Sequence, residues 1–458
     1  MSAAMLTPEV IGRYTKPGPR YTSYPTAPEW KLFSPQDYAQ TLNRFGASCE
    51  SLSLYIHIPF CVSMCSYCGC NVVIRKANAR VGDVYLDYLE KELTLVQHEI
   101  RRKPLLKQFH IGGGTPNYLQ PDQLERLMQM VSAHFDWDPE AEIAIEMDPR
   151  LATDGHLDAL RTLGFNRISM GIQDFDLKVQ EAVNRVQPYD MVDNLMQGLR
   201  SRGFTSINMD LIYGLPFQSQ ASFEKTIDQV LALSPDRIAL YSFAHIPWLK
   251  SHQRLIDPET LPVAAEKLGI FLMARERLLA GGYDAIAMDH FAKSTDEMAK
   301  AYHSGTLYRN FMGYTLKPAD EYLGVGVTSI GFLAHTFAQN SKDLKGYYAA
   351  LDRGELPVER GLVLTEDDQR RQWVISQLMC HFRVDKGEFL QRFGVNFETY
   401  FEAEQDHLAQ CVAEGLITQD PTVISATALG RLFVRNVAMG FDWYLRQAQG
   451  HKQFSSTI

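Results

Sequence analysis

From residue 53 onward, short β-branched and apolar runs alternate with longer stretches in which apolar positions recur every three or four residues. Residues 53–58 predict a strand. Residues 83–101 predict a helix with Tyr85, Leu86, Leu89, Leu93 and Val96 on one face. Residues 108–111 form the next strand, and the helix after it carries Leu124, Leu127, Met128 and Val131. The pattern repeats at 142–147, 167–170, 207–212, 237–243 and 285–288, with helices between. Six or seven such repeats over about 240 residues imply an α/β fold with a parallel sheet, either doubly wound or curled into a full or partial barrel. Past residue 340 the alternation stops. Residues 344–351, 366–382, 386–393 and 397–414 read as helices, 417–427 as a small β-ribbon and 429–446 as a last helix, together a mainly helical domain with a winged-helix flavour.

The first fifty residues follow neither rhythm. Pro17, Gly18, Pro19 and Pro25 bracket Arg20, Tyr21 and Tyr24, and Pro and Gly break helix and strand. This is either a plain surface arm or a strap over a site, with Arg20 reaching a carboxylate and the tyrosine rings covering a flat ligand. The expected organisation is an arm over residues 1–52, a barrel over 53–340 and a mainly helical domain over 341–458.

Composition narrows the classes. The 458 residues are 45% hydrophobic and 22% charged, and no apolar run approaches the roughly 20 residues of a membrane span. The N-terminus has no apolar core of a signal peptide, so the expected location is the reducing cytoplasm. A formal charge of -9 gives no support to nucleic-acid binding, and the winged-helix-like segment lacks a dense basic face. An anionic substrate must therefore meet local basic residues.

Four of the seven cysteines, Cys61, Cys65, Cys68 and Cys70, fall within ten residues after the first predicted strand. Closely spaced thiolates on such a loop can hold an iron-sulfur cube. If three protein ligands bind a four-iron cube, one iron keeps an open position, the mark of a reactive centre. A structural zinc site normally needs a second CxxC-type pair, which is absent. A disulfide suits a reducing compartment poorly, and inert buried cysteines rarely crowd so closely. Polar residues mark the other strand ends: Glu146, Asp148, Gln173, Asp174, Asp210, His245, Asp289 and His290. In βα architectures these ends carry the site. Gly112-Gly113-Gly114-Thr115-Pro116 lets backbone approach a ligand closely, but has neither dinucleotide-binding nor P-loop spacing.

CxxxCxxC after a first strand and GGTP after the second resemble the radical S-adenosylmethionine enzymes. More narrowly, the sequence resembles the oxygen-independent coproporphyrinogen III oxidase (dehydrogenase) family along nearly its whole length. The stretches that carry this are PGPRYTSYPT (17–26), SLYIHIPFC (53–61), CSYCGCN (65–71), GGGTPNYL (112–119), EMDPR (146–150), SMGIQDF (169–175), NMDLIYGLP (208–216) and MDHFA (288–292). The resemblance implies a partial (β/α)6-type barrel and a 4Fe-4S cluster on Cys61, Cys65 and Cys68. It also implies S-adenosylmethionine, reductively cleaved to a 5'-deoxyadenosyl radical that takes hydrogen from a propionate β-carbon. Two propionates of coproporphyrinogen III would become vinyl groups, giving protoporphyrinogen IX. A first S-adenosylmethionine would contact Tyr55, Gly113, Glu146 and Ile330. A second would contact Tyr67, Gly114, Thr115, Gln173, Arg185, Asp210 and Ala244. Arg20 is the candidate for binding a substrate propionate. A low-potential donor such as a flavodoxin or ferredoxin and a monomeric state are also expected.

Two positions depart from the family pattern: Tyr67 stands where Phe is common, and Met312 where Gln is usual. Without the cysteine loop, Glu146, Gln173 and Asp210 read equally as helix caps or partners of buried backbone, and Arg185 as a surface ion pair. The competing class is a haem chaperone of the same superfamily, which usually has Phe at the position of Cys70 and lacks the PRYTSYPT arm; both features favour the enzyme. Cys70 is expected near the cluster but not bound to it, and Cys49, Cys380 and Cys411 are expected to be structural.

Overall fold

The computed structural model describes residues 7–316, 321–447 and 454–457. Its centre is a run of parallel strands joined by helices: β1 (Ser51–Ile58), β2 (Leu105–Gly113), β3 (Asp136–Met147), β4 (Arg167–Gln173), β5 (Ile207–Tyr213) and β6 (Arg237–Ser242). They lie side by side in chain order, each parallel to the next. Because the order never reverses, there is no topological switch point, and the doubly wound alternative is excluded. The helices cover the strands, so strand interiors such as Leu54, Ile56, Phe109, Ile111, Ile145, Ile168 and Met209 are almost wholly buried. Helix Ala79–Ile100 shows how the pattern produces this packing. Asn78 caps its start, and Tyr85, Leu86, Leu89 and Leu93 on one face are fully buried. Each such side chain contributes about 1.5–3 kcal/mol of burial free energy.

The seventh repeat does not continue the run. β7 (Tyr283–Ile286) and β8 (His290–Lys293) form an antiparallel ribbon, and β8 pairs antiparallel with β6. Only residues 287–289 separate them, far short of the dozen or more residues a parallel crossover needs. At the other edge, β9 (Tyr322–Val325) lies parallel to β1, and β10 (Ile330–Leu333), β11 (Thr336–Asn340) and β12 (Val358–Val363) follow as antiparallel strands. Among the described residues, Lys31–Leu32 completes a sheet of 13 strands whose two ends do not pair. The sheet is nonetheless concave, since Gln108, Glu142, Arg167, Asn208 and Tyr241 from five successive strands face one small cavity, plugged by the hairpin of Tyr308–Asn310 and Gly313–Thr315. This is a partial barrel.

Two regions differ from the sequence pattern. The first fifty residues contain helix Pro35–Ser48, capped by Ser34, with Tyr38, Thr41, Leu42 and Phe45 on its buried face. The expected helix over 397–414 divides into Phe397–Tyr400 and Gln405–Ala413, and the last one into Ala428–Leu432, Val434–Met439 and Trp443–Gln447. The expected ribbon gains a third strand, Arg383–Asp385.

The arm is clasped by the C-terminal segment. Arg435 donates to the carbonyls of Gly18, Pro19, Ser456 and Thr457, the Tyr21 hydroxyl donates to Asp442 (3.0 Å), and Gln372 donates to the Tyr24 carbonyl (3.0 Å). Among the described residues, no helix is long and apolar enough to cross a membrane.

Candidate active site

The strand ends converge on the cysteine loop. A cavity of about 180 Å³ is lined by Cys61, Cys65, Tyr67 and Cys68 from the loop after β1, by Gly113, Gly114 and Thr115 at the end of β2, and by Glu146, Gln173, Asp210 and Arg185. Eleven of the residues expected from the sequence therefore share one chamber.

The loop is shaped from outside. Asn184 Nδ2 donates to the Met64 carbonyl (2.8 Å), His252 Nε2 to that of Cys68 (2.7 Å), and Gln253 Nε2 to that of Tyr67 (2.9 Å). Lys250 holds the Cys70 carbonyl (3.1 Å) and Asn71 Oδ1 (2.9 Å). These bonds satisfy backbone that neither helix nor sheet could serve. The sequence motifs named none of the 250–253 residues.

Gly113 and Gly114 form the chamber's floor through close approach. A Cβ on Gly114 would lie 2.7 Å from the Pro59 carbonyl oxygen, and Gly113, at φ 119°, would place one 2.6 Å from the His57 ring. His57 donates from Nε2 to the Asn71 carbonyl (3.2 Å), so its Nδ1 accepts from the Tyr55 hydroxyl (3.0 Å); burial lowers its pKa to about 4 and keeps it neutral. Tyr55 stacks on His110, which bonds Glu146 Oε1 (3.1 Å), while the Gly113 amide donates to Oε2 (3.2 Å). Burial would raise the Glu146 carboxyl, but the bonds from His110 and Gly113 hold it below the usual range. Asp210 moves the other way, to about 6, through burial and the nearby Glu146 charge.

Cys65 is buried between two guanidiniums, Arg185 Nη1 at 3.7 Å and Arg150 Nη2 at 3.9 Å. Both pair with Asp148, at 3.2 and 2.6 Å. Burial opposes the Asp148 charge, and the two arginines more than offset it, so the carboxyl stays below its ordinary range. The sequence reading passed over Arg150, although it stands in the EMDPR stretch. Gln173 holds a left-handed backbone (φ 69°) beside the irregularity in the β4–β5 pairing. Among the described residues its Oε1 and Arg185 Nε are buried without a hydrogen-bond partner. Strain and unsatisfied polar atoms at one place point to a ligand site.

The other expected residues stand nearby but not on the chamber wall. Ala244 is tied to the loop because Gln253 Nε2 also donates to its carbonyl (3.2 Å). Ile330 packs with Trp30, Tyr322 and Phe332, and Met312 packs against that cluster. Arg20 is exposed and donates to the Ser242 carbonyl (2.7 Å) at the end of β6. Of the other polar strand ends, Asp174 is taken up by Thr226 and Gln218, and Asp289 pairs with His290 (2.7 Å).

The donor set fits an iron-sulfur cube and a polar cofactor: three thiols from one loop, cations beside the most buried of them, two glycines that leave room for close approach, and the buried Gln173 and Arg185 atoms left unpaired. Among the described residues, no three His, Cys, Asp or Glu side chains converge tightly enough to hold a single metal ion. Ligands spread around the corners of a cube need no such convergence. Burial pushes the Cys61 thiol up to about 11, so its deprotonation needs the cation it would bind. Cys70 is exposed; its thiol donates to Cys68, which chiefly for that reason falls to about 6.

Residues 55–230 match the Radical SAM superfamily, and residues 364–433 the HemN C-terminal domain. Oxygen-independent coproporphyrinogen III oxidases of Synechocystis sp. and Pseudomonas aeruginosa are 43% and 42% identical to this chain, each over 98% of it and over 97% and 98% of their own lengths. The solved structure of coproporphyrinogen III oxidase from Escherichia coli, a radical SAM enzyme, superposes with a TM-score of 0.89 at 42% identity, covering 93% of this chain and 97% of that one. With cysteine loop, glycine floor and strand ends converging as they do, the chain belongs to the oxygen-independent coproporphyrinogen III oxidase family of the radical SAM superfamily.

Proposed function

We propose that this protein decarboxylates two propionates of coproporphyrinogen III to vinyl groups without oxygen, giving protoporphyrinogen IX for porphyrin and haem synthesis. The observation that carries this is the single chamber that joins Cys61, Cys65 and Cys68 to the glycine floor, Glu146, Gln173 and Asp210. A 4Fe-4S cluster and S-adenosylmethionine supply the hydrogen-atom abstraction, chemistry that belongs to the cofactors. The chain supplies position, polarity and exclusion of water.

Cys61, Cys65 and Cys68 would hold the cluster, while Cys70, which lines the same chamber and donates its thiol to Cys68, would stay unbound and leave one iron open. Tyr55, Gly113, Glu146 and Ile330 hold one S-adenosylmethionine, with Glu146 kept as a carboxylate to receive a positively charged group. Tyr67, Gly114, Thr115, Gln173, Arg185, Asp210 and Ala244 hold a second, and the orphaned Gln173 Oε1 and Arg185 Nε support that reading. The arm of residues 1–52 lies over the mouth of a barrel spanning 53–340. There Arg20 takes a propionate, and the domain of 341–458 keeps the arm in place. The protein works as a cytoplasmic monomer fed by a low-potential donor such as a flavodoxin or ferredoxin.

An anaerobic assay with coproporphyrinogen III, S-adenosylmethionine and a reductant tests the reading. Protoporphyrinogen and 5'-deoxyadenosine are expected; stoichiometric haem binding with neither product would identify a haem chaperone instead.

A further inference from the structure

The cysteine loop has a second face, which meets the chamber at Met64, Cys70 and Val72. A groove of about 240 Å³ runs along it, lined among others by Cys70, Asn71, Leu249, Lys250, His252 and Lys342. Among the described residues its lining carries Lys250, His252 and Lys342 and no carboxylate, and exposed Arg75 follows Val73 of the lining by two residues. In a chain of net charge -9 this is a local reversal of sign. The neighbouring carboxylates are Asp343, which accepts from the Gly346 amide (2.8 Å), and Glu359, which accepts from the Lys342 amide (3.2 Å). Trp248 (53% exposed) and Leu249 (69% exposed) add apolar surface beside the cations. The groove's wall is the ligand loop itself, because Lys250 and His252 bond the carbonyls of Cys70 and Cys68.

Resting on the cluster assignment above, we propose that this face docks an acidic one-electron donor protein. The donor loses one electron and the cluster gains one across the Cys68–Cys70 edge, with no bond made or broken. An acidic partner is repelled by the chain's overall charge and drawn to this patch, so complementarity sets both orientation and encounter rate.

The test uses cluster-loaded protein carrying Arg75→Glu and Lys342→Glu, two exposed side chains; Arg75 meets the loop through its backbone amide, which the substitution keeps. Binding of oxidised flavodoxin, as the acidic probe, is measured by calorimetry at about 50 and about 500 mM salt. Wild type should bind and weaken with salt, the double variant should bind at least about tenfold more weakly, and Arg75→Gln with Lys342→Gln should fall between. Cluster reduction by flavodoxin hydroquinone, followed by absorbance, should slow in parallel, while reduction by photoreduced 5-deazaflavin, a small neutral reductant, should not change. Equal affinity in wild type and double variant, or affinity indifferent to salt, would overturn the proposal. So would a raised KM for coproporphyrinogen with deazaflavin as reductant, which would make the groove a substrate entrance. Failure of wild type to decarboxylate with deazaflavin would instead count against the function proposed above, and the affinity measurements stand apart from it.

Discussion

Asp148→Asn isolates the charge at the heart of the site. Asparagine keeps the shape and can still cap the Arg150 amide, as Asp148 Oδ1 does at 3.0 Å. It removes the carboxylate shared by two guanidiniums, in a pair where Asp148 is 5% exposed and Arg185 9%. Breaking a buried pair by removing one partner costs about 3–5 kcal/mol. Arg185 keeps its bond to the Gly171 carbonyl (2.7 Å), and Arg150 is 19% exposed, so the lower end, about 3 kcal/mol, is expected. At about 2 °C per kcal/mol, Tm should fall by about 6 °C at pH 7. The pH dependence has a definite sign. The native carboxyl lies below its ordinary range, so its contribution is full above the unfolded value near 3.9 and lost as pH falls through the native one. Differential scanning calorimetry of the cluster-free chain should show a constant gap between wild type and variant from pH 7 to 5 that narrows progressively as pH falls below about 4. A gap that does not narrow below about pH 4, or none at pH 7, would refute the assignment of a buried, doubly paired carboxylate.

Three further outcomes are expected. Cys70→Ser should keep the iron-sulfur absorbance of the reconstituted protein and Cys65→Ser lose it; equal loss in both would make Cys70 a ligand. Arg20→Ala should raise KM for coproporphyrinogen about tenfold with little change in cluster content, the loss of a charge-assisted bond of about 1.5 kcal/mol, and unchanged KM and turnover would remove Arg20 from the site. Gly114→Ala drives a Cβ to 2.7 Å from backbone that cannot yield, so both S-adenosylmethionine binding by equilibrium dialysis and thermal stability should drop. A variant with native affinity would show that the floor is not a cofactor contact.

The parallel strands were legible because their interiors are apolar runs bounded by helical periodicity, and the cysteine loop because its spacing is improbable. Residues 285–288 carried the same apolar signal as a crossover strand, and only the three-residue turn to His290 makes them a ribbon. The last helices look continuous in periodicity, yet they break at Phe433 and again from Gly440 to Asp442, and a Cβ at Gly440 would collide with the His407 ring. Helical spacing contains no trace of such long-range contacts. The Asp148–Arg150–Arg185 cluster was hidden for the same reason, since Arg185 lies on another βα unit and only folding brings it to Cys65. The Gln173 backbone conformation leaves no mark in composition, as glutamine has no preference for it.

The grip of Arg435 reaches backbone 416 positions away, since one guanidinium donates to the Pro19 carbonyl as well as to those of Ser456 and Thr457. Closing so long a loop costs chain entropy that no local contact returns, so this clasp is expected to form only after the intervening sheet has drawn the two segments together. One side chain then carries both segments, and Arg435→Met would release them at once.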